Sequence, residues 1–232
     1  MASVEMAIDL TSDAASDDRS DHNGEPNPPS RYGKDEIVTL LVGDERTEML
    51  AFASCLSFHS EFFKVALKKE WAEGQTHTIK LPEEEPEIVA QYLDYVLGKG
   101  LPTDSTKMDP RDGEVYWTLT ILFAFGERVL DSKLRNAITA EIIRFTTIPA
   151  PDGSYILPSE LPINNIYNCT TSASPARRLM VDLYMHVGDT TWVVDTLHPA
   201  FLKDLAEALM LQVQTSALPC RISLKSAEQY SI

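Results

Sequence analysis

The sequence predicts an α+β chain, with a small three-stranded sheet flanked by helices and then an all-α C-terminal extension. Three observations carry this expectation. A strand–turn–strand pattern opens at Glu36. One further strand follows a helical pair. From Pro86 onward the apolar residues keep helical spacing, and no repeat of fixed period is present.

The run IVTLLVG (37–43) is β-branched and apolar, like a buried strand. Gly43-Asp44-Glu45-Arg46 has turn chemistry, and Thr47 to Phe52 reads as the returning strand of a hairpin. Ser54 to Ala66 is helical, with Cys55, Leu56, Phe62, Phe63, Val65 and Ala66 as apolar candidates and a fresh start at Ser60, a good N-cap. Thr76 to Leu81 alternates and reads as the third strand, stopped by Pro82. Pro86 suits a first helical turn, and Gly98 and Gly100 end the helix it opens. Residues 101–113 read as a loop. Helices are expected over 114–130 and 132–147, the second with a stripe at Leu134, Ile138 and Ile142. A proline-rich connector then leads to short helices near 163–168, 175–187 and 199–213.

The 232 residues carry a formal net charge of −15, with 44% hydrophobic and 24% charged residues. Such a balance suits a globular chain and opposes binding to nucleic acid or anionic membranes. The excess is not confined to the start: residues 1–30 hold seven acidic residues and one basic, and the rest still has 28 against 19. No apolar run is long enough to span a bilayer, and the first 30 residues lack the pattern of a secretory signal. Cys55, Cys169 and Cys220 are far apart and odd in number, which fits a reducing cytoplasmic or nuclear setting.

Catalytic signatures are missing. There is no phosphate-cradling glycine loop, no HExxH, no Cys/His metal spacing and no GxSxG, so no catalytic, cofactor or metal residues are assigned. Cys55 and His59, at i and i+4, would share a helix face and are the one pair from which a small hydrolase-like enzyme could be imagined. The plainer reading is a core cysteine beside a partly exposed histidine. His186 and His198 could meet Asp182 or Asp189, but nothing in the spacing fixes their geometry. Glu83-Glu84-Glu85 complements the dipole of the helix that follows. Ser174 with Pro175 reads as an N-cap and first helical turn; phosphate on Ser172 or Ser174 beside Arg177 and Arg178 is the alternative.

Several segments together resemble a BTB/POZ domain of the divergent type common in fungal proteins. EIVTLLVG (36–43) is similar to that family's first strand. CLSFHSEFFKVAL (55–67) resembles its Leu-x-x-x-Ser-x-x-Phe segment through Leu56, Ser60 and Phe63. WAEGQTHTIKLPEEEPEIVAQYLDYVLGKGLP (71–102) is similar to the acidic link, third strand, Leu-Pro turn and following helix. INNIYNCTTSASPARRLMVDLYMHV (163–187) looks like the extension after many fungal members, through Tyr167, Thr170, Ser174, Arg177, Arg178 and Asp182. The layout expected is a disordered acidic tail (1–31), a BTB/POZ-like domain (32–147), a proline-rich connector (148–162), a helical extension (163–213) and a flexible tail (214–232). Phe52 stands where many members have histidine, and a stacked apolar contact is expected to replace that residue's hydrogen bond. Residues 1–35 contain no apolar helix of the kind some members exchange on dimerising.

The resemblance implies a non-enzymatic protein–protein interaction module, acting by self-association as a homodimer, by docking other proteins, or both. It also implies an alternative, a substrate adaptor on a cullin scaffold. In such adaptors an apolar–x–Glu sequence contributes to cullin contact, and Trp71-Ala72-Glu73 stands in the matching place. The competing expectation has Trp71 packed against the core and Glu73 solvated. Separately, Ile8-Asp9-Leu10-Thr11, followed by Ser12-Asp13, resembles a SUMO-interaction motif, a short apolar strand with acidic flanks.

Overall fold

The computed structural model describes residues 35–103, 113–149, 153, 155–187 and 189–215. The Ile8–Thr11 motif, Ser12-Asp13 and Cys220 lie outside these residues. Among the described residues the chain is mixed α+β, with a three-stranded sheet and nine α-helices.

Strand β1 (Ile37–Val42) lies at the centre of the sheet. Strand β2 (Thr47–Phe52) pairs with it antiparallel, Thr39 opposite Leu50 and Ile37 opposite Phe52. The turn between them requires a left-handed residue at Gly43, whose φ is +71°. Strand β3 (Thr78–Leu81) runs parallel to β1 on its other side. Parallel neighbours need a crossover, and here it is made by three short helices: α1 (Ala53–His59), α2 (Glu61–Ala66) and α3 (Ala72–Thr76).

β1 is covered on one face rather than on both. Val38, Leu40 and Val42 are fully buried, while Ile37 is 56% exposed. Val38, Leu40 and Val42 begin an apolar core that continues through α4 (Pro86–Val96), α5 (Glu114–Arg128) and α6 (Ser132–Thr146). The same core continues through α7 (Glu160–Cys169), α8 (Pro175–Val187) and α9 (Pro199–Thr215) to Leu205. Helix α5 packs against α4, α6 and α7.

Some elements differ from the sequence expectation. α3 occupies residues read only as the approach to the third strand, and β3 begins two residues later, at Thr78, after His77 turns left-handed (φ 50°). α7 starts at Glu160, before Pro162, because the first helical N–H groups have no intrahelical partner and proline sacrifices nothing there. Glu84, read only as part of an acidic run before α4, makes a two-pronged ion pair with Arg128 (2.5 Å for both Nε–Oε1 and Nη2–Oε2), which ties the β3–α4 turn to the end of α5. Phe52 is 45% exposed, and no ring stacks on it among the described residues. Ser174 is buried and accepts a hydrogen bond from the Ala176 N–H (3.3 Å) at the start of α8. Among the described residues, no helix is long and apolar enough to cross a membrane.

Candidate functional site: an apolar groove beside Trp71 and Glu73

The groove is built by α2, the start of α3, β3 and Leu130, two residues past the end of α5. Ser60 sets its base. The Ser60 hydroxyl accepts from the Phe63 N–H (3.0 Å), capping α2, and donates to the Val129 carbonyl (2.5 Å), fastening α2 to the end of α5. With that anchor α2 buries Phe63 completely and leaves Phe62 and Val65 37% and 45% exposed.

α3 then folds back onto the chain just past α2. Gly74 makes this approach: a Cβ there would lie 2.1 Å from the Lys68 carbonyl oxygen, so no other residue fits without a shift. The fold-back leaves Trp71 54% exposed, and Trp71 and Glu73 both line the groove. Leu130, 54% exposed and left-handed at φ 55°, lines it as well. A bulky residue rarely adopts that conformation, which costs about 1–2 kcal/mol. It is held by the Leu130 and Asp131 N–H groups donating to the Glu127 and Gly126 carbonyls that close α5.

The resulting groove has a volume of about 450 Å³, with Ile79 among its lining residues and the charges of Glu61, Glu73 and Lys80 around it. The sequence offered Trp71 and Glu73 as a contact candidate, with Trp71 packed on the core as the competing expectation; the structure leaves Trp71 54% exposed. Phe62 and Val65 entered that reading only as apolar candidates of the helical segment, without a place in a groove, and it missed Leu130 and Lys80, which lie far from α2 in sequence. A second, larger cavity of about 560 Å³ lies between the 155–161 segment and Tyr184, Trp192 and Val194. Its one acidic lining residue, Glu160, accepts a hydrogen bond from the Thr196 hydroxyl.

Cys55 and His59 are not joined by a hydrogen bond among the described residues. Burial pushes the Cys55 thiol up, away from the reactive thiolate, with a lesser rise from the Asp35 carboxylate set against a hydrogen bond to Ser54. The His59 ring meets Phe58 and Tyr95 edge-on, and its Nδ1 lies 3.7 Å from Asp131 Oδ2. Burial lowers the His59 pKa, opposed by the Asp131 carboxylate and aided by Lys133. Asp131 is fully buried and caps α6 by accepting from the Leu134 N–H (2.8 Å); burial raises its pKa. His198 serves α9, its Nδ1 accepting from the Ala200 N–H (3.1 Å). Among the described residues, no group of three His, Cys, Asp or Glu is placed to hold a metal ion. Compared with known proteins, the chain matches no family model, no curated protein and no solved structure.

Proposed function

We propose that this chain is a non-enzymatic protein–protein interaction module of the BTB/POZ type that docks a partner polypeptide in the groove beside Trp71. The observation that carries this reading is the half-exposed Trp71 sharing an apolar groove with Phe62, Val65 and Leu130, with carboxylates at its margin. Aromatic anchors in apolar depressions ringed by polar groups are where binding energy concentrates at protein interfaces. The order of elements from Glu36 to Leu101 (strand, returning strand, helical pair, third strand, Leu-Pro turn, helix) lends support, because apart from the short α3 before the third strand it follows the order the resemblance implies.

A cullin scaffold is the partner that the position of Trp71-Ala72-Glu73 favours within this reading. The test is titration of a cullin N-terminal domain into the full chain and into the Trp71→Ala/Glu73→Ala variant. The native chain is expected to bind, and the variant to bind at least about ten-fold more weakly with unchanged circular dichroism. Equal binding by both would remove the groove from the contact. No binding by the native chain would remove the cullin.

A further inference from the structure

The larger cavity, beside the 155–161 segment, is walled by aromatic rings. Tyr155, Tyr184 and Trp192 all line it, and Glu160 is its one charged lining residue. Its volume of about 560 Å³ falls within the usual range of ligand sites, about 300–1,000 Å³.

Hydrogen bonds hold these walls in place. Tyr184 is buried on α8; its hydroxyl donates to the Pro158 carbonyl (3.2 Å), and its ring meets Phe201 edge-on with centroids 5.0 Å apart. Trp192 stands on a single 3₁₀ turn, Thr190–Trp192, and its N–H donates to the Asp189 carbonyl (3.0 Å). The segment after it is fastened to α7. The Thr196 hydroxyl donates to the Glu160 carboxylate, Asn164 Nδ2 donates to the Thr196 carbonyl (2.8 Å), and the His198 N–H donates to Asn164 Oδ1 (2.6 Å). The Tyr184 and Trp192 rings are thus held close to perpendicular, 73° between planes and 6.3 Å between centroids. At that spacing one cation can lie within about 6 Å of both centroids.

Apart from Thr196, Glu160 has no partner among the described residues. Burial pushes the Tyr184 hydroxyl up to about 12, and the Glu160 charge adds to the rise. Aromatic faces and an unpaired carboxylate both attract positive charge, and so does a chain of net charge −15. The cation that suits this cavity carries few N–H groups. The Ile156 and Pro158 carbonyls already accept from the Tyr116 and Tyr184 hydroxyls, and most of the lining is apolar, so the three donors of a primary ammonium would find few acceptors. Methylation removes those donors and keeps the charge. Leu161 and Val194, 56% and 39% exposed, add apolar surface that a small free ion would leave bare and a polypeptide would cover.

We infer that this cavity binds the trimethylammonium group of a methylated lysine side chain in a partner polypeptide. Tyr155, Tyr184 and Trp192 supply the rings and Glu160 the countercharge. The groove beside Trp71 shares no lining residue with this cavity, so the inference does not depend on that groove's role.

The test is calorimetric titration of the full chain with a blocked Ala-Val-Lys-Val-Ala peptide, trimethylated on its lysine, up to about 5 mM. The dissociation constant is expected on the order of 100 μM. The unmethylated peptide, the uncharged tert-butyl isostere and choline are each expected to bind at least about five-fold more weakly. Trp192→Ala is expected to weaken binding at least about ten-fold and Trp192→Phe less than that. Glu160→Gln, which keeps an acceptor for Thr196, is expected to weaken it about three- to ten-fold, and Trp71→Ala not at all. Circular dichroism of each variant verifies the fold. No binding of the trimethylated peptide, equal binding of the unmethylated or uncharged peptide, or indifference to both Trp192→Phe and Glu160→Gln would each overturn the inference. Choline binding as tightly as the peptide would overturn the polypeptide source.

Discussion

Phe62 and Phe63 are adjacent on α2, touch edge-on with centroids 5.2 Å apart, and end in different surroundings. Phe63 is fully buried and stacks on Tyr92 (centroids 6.2 Å apart), while Phe62 is 37% exposed and lines the groove. Residue type and hydrophobicity are the same for both. The difference comes from Ser60, whose two hydrogen bonds fix which side of a helix of under two turns meets α5. One face of α2 holds the fold together, and the neighbouring face is left available to a partner.

The largest expected effect divides these neighbours. Phe63→Ala is expected to lower unfolding stability by about 3–5 kcal/mol, the range for removing a fully buried aromatic ring. Phe62→Ala is expected to change it by about 1 kcal/mol or less while weakening cullin-domain binding. Urea unfolding of both, with binding measured on the Phe62 variant, checks the pair; similar losses of stability would erase the distinction.

Leu130→Gly sharpens it. Glycine relieves the left-handed backbone, worth about 1 kcal/mol, and deletes a half-exposed groove wall. Stability is expected to hold or rise slightly as binding falls. The smallest effect concerns pH. The His59 pKa is lowered in the fold, chiefly by burial, so the unfolded chain takes up the proton first as pH falls through about 6.5. That histidine therefore removes stability as pH falls below this value, until the folded form also protonates. Urea midpoints at pH 7.5 and 5.5 are expected to fall less for His59→Gln than for the native chain.

The hairpin and the spacing of α4, α6 and α8 were legible because each repeats a local period that burial enforces. Leu134, Ile138 and Ile142 are all buried, as their four-residue spacing requires. Of the groove's lining, the sequence singled out Trp71 and Glu73, as a contact candidate and not as part of a groove. Phe62 and Val65 were read only as apolar candidates, because apolar character alone does not say whether an outward residue of a short helix lines a groove. α3 was hidden by a glycine, a poor helix former. Gly74 is there for its close approach to Lys68, a contact no local pattern announces. Leu130 enters the groove through a backbone conformation that its residue type disfavours, and Glu84 answers Arg128, 44 residues away.

Hydrogen–deuterium exchange of the full chain, alone and with a cullin N-terminal domain, tests the separation of folding face from docking face most directly. Slowed exchange confined to residues 61–66, 71–76, 78–81 and 128–131 is the expected result. Protection elsewhere, or none in these segments when the domain is bound, would contradict it.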